Sequence, residues 1–87
     1  MASYEIAFRA SVAKDLRRIP NTDVRRILGS IDALAENPRP QGCVKLSAQE
    51  RYRIRQGIYR IVYEIRDTEL IVQVVKVAHR RDVYEGG

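Results

Sequence analysis

Four arginines stand close together in the stretch RYRIRQGIYR, and these ten residues, 51–60, contain no Asp or Glu. Arg51, Arg53, Arg55 and Arg60 therefore have no acidic partner within this stretch. A guanidinium group binds a phosphate through two parallel N–H···O hydrogen bonds and stays protonated at physiological pH. These residues predict a site that binds phosphate groups and stabilises negative charge developing on them.

A second group of candidate site residues lies in VAHRRDVY, residues 77–84. His79, Arg80, Arg81 and Tyr84 add an imidazole, two cations and an aromatic ring, which converge with the first group if the chain end folds back. An imidazole can act as a general acid or base, although a solitary histidine at a strand end is more often a packed or hydrogen-bonding residue. Tyr84 fits a stacking contact with a base and a cap on the core equally well.

Cations combined with aromatic rings are suited to a single-stranded nucleic acid. RNA supplies its own nucleophile, so a protein can cleave it by aligning the 2′-hydroxyl, stabilising the phosphorane and helping the 5′-oxygen leave. The sequence holds one Cys and one His, which form no recognisable metal site, and we expect neither a metal nor another cofactor. The alternative to a nucleic-acid site is an ordinary solvated sheet face, on which Glu64 and Glu69 are diffuse partners of the arginines.

The composition predicts one small basic domain that spans residues 1–87. A chain of 87 residues with 45% hydrophobic content suffices for one modest core. Sixteen Lys and Arg residues against eleven Asp and Glu give a net charge of +5, which favours a polyanionic partner. No apolar run approaches the roughly 20 residues of a membrane span, and the first residues do not resemble a secretory signal. We expect a cytoplasmic protein without a membrane partner.

The N-terminal half predicts one strand and two helices. Tyr4–Phe8 has the alternation of a half-buried strand. Ala10–Arg18 carries apolar residues at helical spacing and stops before Pro20. A second helix, capped by Asn21 or Thr22, continues to the sequence ENPRP, where two prolines end it. The short connection makes the two helices an antiparallel hairpin.

The C-terminal half predicts three strands in an antiparallel meander. They are Arg51–Gln56, Tyr59–Ile65 and Leu70–Val77. Because side chains alternate along a strand, the arginines of the first strand share one face while Tyr52 and Ile54 point to the helices. Pairing of the first two strands brings Arg60 beside Arg53 or Arg55. The predicted fold class is α+β, with one sheet covered by the helical hairpin.

The order and spacing of these segments resemble the RelE-type toxins of bacterial toxin–antitoxin systems, within the wider RelE/ParE superfamily. The likeness covers almost the whole chain: the N-terminal strand, two helices ending at NPRP, the KL of residues 45–46, the hairpin YRIRQGIYRIVYEI and the closing VAHRRDVY. The resemblance implies an antiparallel sheet flanked by a helical hairpin. It also implies an endoribonuclease that cuts messenger RNA in the ribosomal A site without a metal and leaves a 2′,3′-cyclic phosphate.

The resemblance further implies roles for individual residues. Arg53 and Arg55 match basic residues that contact the scissile region, and Arg60 matches the arginine that stabilises the phosphorane. Arg80 matches the arginine that aids the leaving oxygen, and Tyr84 the tyrosine that orients the substrate base. The implied catalytic set is Arg55, Arg60, Arg80 and Tyr84. The expected RNA-binding residues are Lys45, Arg51, Arg53, Lys76, His79 and Arg81.

Among the positions that depart from the family pattern, residue 55 matters most. Where the best-known members have a lysine proposed as the general base, this chain has Arg55, and a guanidinium is not a proton acceptor. The resemblance therefore leaves the base to another group, such as His79 or Tyr84.

Two other functions fit the same sequence. One is a ParE-like protein that inhibits DNA gyrase by binding, although the presence of Arg60, Arg80 and Tyr84 favours the nuclease. The other is a basic nucleic-acid-binding module that acts as a repressor with its antitoxin. The expected partner is a cognate antitoxin, acidic and partly disordered, that folds on the arginine-bearing sheet. The ribosome and messenger RNA are the expected targets, and operator DNA is reached only through the antitoxin.

Overall fold

Two helices and five strands form from the residues that the computed structural model describes, 3–46 and 50–79. Their order along the chain is β1 (Glu5–Phe8), α1 (Ala10–Arg17), α2 (Asn21–Ala33), β2 (Val44–Leu46), β3 (Arg51–Gln56), β4 (Tyr59–Arg66) and β5 (Ile71–His79). The α+β class and the succession of one strand, two helices and a strand meander are as predicted.

The five strands form one sheet in the order β1-β5-β4-β3-β2. The neighbours from β2 to β5 pair antiparallel, which confirms the predicted meander, whereas β1 pairs parallel with β5. The sheet is therefore mixed rather than wholly antiparallel. The two helices carry the chain from β1 at one edge to β2 at the other. Strand β2 was not predicted, because three residues are too few to show an alternating pattern.

The start of α2 differs from the prediction. Its N-cap is Pro20, and no side chain caps the helix, so the expected cap by Asn21 or Thr22 is wrong. The backbone N–H groups of Asp23 and Val24 instead donate to the carbonyl oxygen of Pro20, at 2.9 and 3.0 Å. Asn21 is consequently the first helical residue.

Tight turns connect the three long strands. Gly57 has a φ of 61° at the first position of the two-residue loop between β3 and β4, a conformation that favours glycine in a hairpin. Leu70, predicted as the first residue of the last strand, has a φ of 55° and belongs to the turn before β5. Both turns fix the register of the strands that carry the arginines.

Both helices pack on one face of the sheet, where they bury the core. Val12 of α1, Ile27 and Ile31 of α2, and Tyr63 and Val74 of the sheet are at most 1% exposed. Burying a side chain of this size contributes roughly 1.5–3 kcal/mol, so the apolar stripes of the helices hold them on the sheet. The other sheet face points away from this core. No helix within residues 3–46 or 50–79 is long and apolar enough to cross a lipid bilayer.

Candidate functional site

The face of β3, β4 and β5 that points away from the helices carries five of the seven predicted site residues that the structure describes, and we call it the arginine face. The strand register arranges its side chains in three cross-strand rows. The rows are Arg51–Glu64–Gln73, Arg53–Val62–Lys76 and Arg55–Arg60–Ala78. The alternation along β3 thus brings three arginines onto one surface, as predicted.

Arg55 and Arg60 lie directly opposite each other on β3 and β4, which confirms the predicted approach of Arg60 to the first strand. Arg60 is only 6% exposed and Arg53 only 9%, whereas Arg55 is exposed. Like charges that face each other across a strand pair destabilise a sheet, so this arrangement costs folding energy. An anion placed between these side chains would offset that cost.

Arg51 is neutralised by a residue far away in the sequence. Its Nε donates to Oε2 of Glu64, the residue directly opposite on β4, at 2.9 Å. Arg66 lies on the other side of this carboxylate, with 3.9 Å between Nη2 and Oε1. The solvated-face interpretation, in which Glu64 balances the arginines, therefore describes Arg51. Arg53, Arg55 and Arg60 lie in the other two rows of the face.

Lys76 reaches the arginine face because β5 is irregular. Val62 pairs with Lys76 but Tyr63 pairs with Val74, so Val75 is an extra residue in β5. Such a bulge makes two successive residues point to the same side of a sheet. Val75 is 5% exposed yet lies outside the core under the helices, as expected for a side chain on the arginine face.

Two predicted site residues point to the other side of the sheet. Lys45 pairs with Tyr52, which faces the helices, and its Nζ lies 3.5 Å from Oε1 of Glu50. His79 pairs with Tyr59, and the two rings meet edge to face with 6.2 Å between their centroids. Neither side chain belongs to the arginine face.

The predicted contributions of Arg80, Arg81 and Tyr84 fall outside the described residues. Their roles in leaving-group stabilisation, RNA binding and base stacking remain predictions. Within residues 3–46 and 50–79, no three side chains of His, Cys, Asp or Glu are grouped closely enough to hold a metal ion.

A polar cluster on the helix side of the sheet was not predicted from the sequence. Arg39 donates from Nη1 and Nη2 to the two carboxylate oxygens of Asp67, at 3.2 and 2.8 Å, and Tyr4 donates to the same carboxylate at 2.7 Å. These hydrogen bonds lower the pKa of Asp67 to about 2. The Arg39 guanidinium also lies over the ring of Tyr52, 5.2 Å from its centroid. The cluster fastens the loop after α2 to the turn between β4 and β5.

The loop after α2, which contains the NPRP motif, also accepts a hydrogen bond from a core residue. The hydroxyl of Tyr63 donates to the carbonyl oxygen of Pro38 at 2.7 Å, and burial raises the pKa of this tyrosine. Tyr63 stacks on Tyr52 with 5.9 Å between ring centroids. The sequence signal for this loop is the NPRP motif itself, which places Arg39 between two prolines.

Comparisons with known proteins agree with this architecture. The family profile described as "ParE toxin of type II toxin-antitoxin system, parDE" matches residues 6–84. A putative toxin RelE1 of Methanocaldococcus jannaschii is 24% identical over 86 residues, covering 94% of this chain and 96% of the relative. Toxin RelG of Mycobacterium tuberculosis is 28% identical over 87 residues, covering 93% and 95%.

Solved structures show the same fold. The archaeal RelE–RelB complex from Pyrococcus horikoshii OT3 matches with a TM-score of 0.81 at 27% identity, over 90% of this chain and 96% of that chain. A mutant of the E. coli toxin RelE in the free state matches with a TM-score of 0.79 at 26% identity, over 98% and 93%. Because the profile matches residues 6–84 and these relatives match over almost their whole lengths, the chain belongs to the RelE/ParE superfamily of toxins from type II toxin–antitoxin systems.

Proposed function

We propose that this toxin is a ribosome-dependent endoribonuclease that cuts messenger RNA in the A site and thereby inhibits translation in the cytoplasm. The observation that carries the proposal is the pair of opposed arginines, Arg55 and Arg60, with Arg53 in the adjacent row of the same face. Three cations held on one rigid surface are suited to a phosphodiester whose charge increases in the transition state.

The proposed reaction is an attack by the 2′-oxygen on the adjacent phosphorus. Arg60 donates to the equatorial oxygens of the phosphorane, and Arg53 and Arg55 hold the phosphate and its flanks. Burial of Arg53 and Arg60 fixes these two side chains before the substrate arrives, so less conformational entropy is lost when RNA binds. Arg80 stabilises the departing 5′-oxygen and Tyr84 stacks on a substrate base in this proposal. The products are a 2′,3′-cyclic phosphate and a 5′-hydroxyl.

We also propose that a cognate antitoxin holds the toxin in an inactive complex. Relatives from P. horikoshii and M. tuberculosis were crystallised as RelE–RelB and RelBE2 toxin–antitoxin complexes. The net charge of +5 and the arginine face fit an acidic segment that folds on binding. Operator DNA is then contacted through the antitoxin rather than by the toxin itself.

A second candidate function is inhibition of DNA gyrase by binding. It is favoured by one specific observation, the family profile, which is described as that of the ParE toxin. The relatives named RelE and the cationic rows of the arginine face support the nuclease instead.

Induced expression without the antitoxin, followed by mapping of messenger RNA 5′ ends, separates the two functions. We expect cuts within translated codons, and we expect Arg60→Ala to lose roughly 100- to 1,000-fold in cleavage rate. Arg25→Ala, which removes an exposed arginine from α2, is the matched control and retains cleavage. Growth arrest with intact messages and induced DNA damage would show gyrase inhibition and refute the nuclease.

A further inference from the structure

The proposed cleavage needs a group that accepts the proton of the 2′-hydroxyl. The arginines of the site do not serve, because a guanidinium stays protonated. His79 faces the helix side of the sheet, next to Tyr59. Tyr84, the other candidate named from the sequence, lies outside the described residues, and the arginine face carries further ionisable side chains.

Among the described residues, two side chains on this face can exchange a proton, Glu64 and Lys76. Both oxygens of Glu64 are paired with arginines: Oε2 accepts a hydrogen bond from Arg51 at 2.9 Å, and Oε1 forms a longer ion pair with Arg66 at 3.9 Å. Glu64 is also two positions beyond Val62 on β4, further than Lys76 from the opposed arginines. Lys76 is exposed and makes no ion pair within residues 3–46 and 50–79.

The bulge at Val75 is what turns Lys76 towards the site. In regular alternation after Val74, which faces the core, Val75 would point away from the helices and Lys76 towards them. The extra residue places Lys76 opposite Val62, in the row of Arg53. Bulges that re-aim a side chain are frequent next to active sites.

The placement of Lys76 suits a group that works beside a phosphate held by arginines. Strands lie about 4.8 Å apart, so Lys76 and Arg53, two strands apart, are separated by about 10 Å at their backbones. Arg60 is the diagonal neighbour of Lys76, at about 7–8 Å. Within residues 3–46 and 50–79, the charged side chains that share the arginine face near Lys76 are Arg53 and Arg60 on one side and Glu64 further along β4. Strand β1 ends at Phe8, opposite Val74, and places no residue opposite Lys76.

We propose that Lys76, as a neutral amine, is the general base of this toxin, an inference that depends on the proposed nuclease function. The amine takes the proton from the 2′-hydroxyl while the 2′-oxygen forms its bond to phosphorus. The bond from phosphorus to the 5′-oxygen then breaks, and that oxygen takes a proton from water. The ammonium returns its proton to the solvent, so that the cleavage is balanced without another reactant.

The test measures single-turnover cleavage of messenger RNA on programmed ribosomes across a range of pH. Lys76→Met is expected to lower the rate by about 100-fold or more and to remove one ionisation from the pH–rate profile. Lys76→Arg keeps the positive charge and is expected to bind ribosomes like the wild type while cleaving as slowly as Lys76→Met. Lys14→Met, which removes an exposed lysine from α1, serves as the control and keeps the wild-type rate.

Chemical rescue of a variant without the lysine amine tests directly whether that amine is the base. Small primary amines added to Lys76→Ala are expected to restore part of the rate, and more so at a pH where the added amine is neutral. Wild-type rate and pH profile in Lys76→Arg would overturn the inference, because a charge alone would then suffice. If the wild type cleaves nothing on ribosomes, the nuclease proposal itself fails and the role of Lys76 fails with it. Ribosome binding and circular dichroism of each variant separate lost chemistry from lost folding.

Discussion

The opposed arginines predict that stability and activity change in opposite directions when one of them is removed. In Arg55→Met the exposed cation of the pair is replaced by an apolar side chain of similar length, while Arg60 remains. At a charge separation of about 6 Å, the repulsion amounts to roughly 0.7 kcal/mol in water and roughly 3 kcal/mol at an effective dielectric constant of 20. Screening lowers both values, so we expect Arg55→Met to be more stable by about 1 kcal/mol.

Urea denaturation followed by circular dichroism measures this gain. A gain of about 1 kcal/mol raises Tm by roughly 4–8 °C in a domain of this size. The gain should shrink in 1 M salt, where the Debye length falls to about 3 Å. Arg25→Met, on the outer side of α2, is the control and should leave the stability nearly unchanged. Ribosomal cleavage by Arg55→Met should meanwhile fall, on the order of 100-fold.

Two outcomes would refute this reasoning. A loss of stability in Arg55→Met would mean that the arginine is held by favourable contacts rather than opposed by Arg60. A gain that is the same at low and high salt would mean that the added apolar surface, and not the relief of repulsion, stabilises the variant.

Two further predictions concern the loop that joins α2 to β2. In Tyr63→Phe the carbonyl oxygen of Pro38 loses its hydrogen bond inside the core, and we expect a loss of about 1–2 kcal/mol in urea denaturation; an unchanged midpoint would contradict the contact. In Asp67→Asn the carboxylate bound by Arg39 is lost. The pKa of Asp67 is about 2 in the folded state and about 3.9 when unfolded. In the wild type, its contribution to the free energy of unfolding is therefore complete above about pH 4 and declines as the pH falls towards 2. The urea midpoint of Asp67→Asn should therefore depend less on pH between 4 and 2 than that of the wild type, and parallel curves would contradict this.

The sequence predicts those parts of the fold that depend on local pattern. The bounds of β3 agree with the prediction, Arg51–Gln56, because its alternation is regular and Gly57 marks the turn. The helices differ by one or two residues at their ends, since helix ends depend on single backbone hydrogen bonds. Local pattern therefore sufficed to place the arginines on one face.

Features that depend on pairing between distant segments were not predictable. The parallel pairing of β1 with β5, the bond from Arg51 to Glu64 and the bulge at Val75 all require the register of strands far apart in sequence. Lys45 and His79 were assigned to the site by residue type. Lys45 lies on β2, a strand that was not predicted, and its side chain points to the other face. His79 follows the bulge at Val75, which was not predicted either, and also points to the other face. Residue type alone thus selected candidates on both faces, and the strand register decides which of them share the arginine face.

The same register couples the site to the core. Tyr52 and Ile54 are buried under the helices, while Arg53 and Arg55 occupy the alternate positions of the same strand. A slip of β3 by one residue would exchange the two sets, exposing the apolar side chains and burying the arginines under α2. The free energy of core packing therefore fixes the positions of the arginines, and no further contacts on the arginine face are needed to set the register. A site of this kind tolerates the repulsion between like charges, because the strands cannot move apart without opening the core.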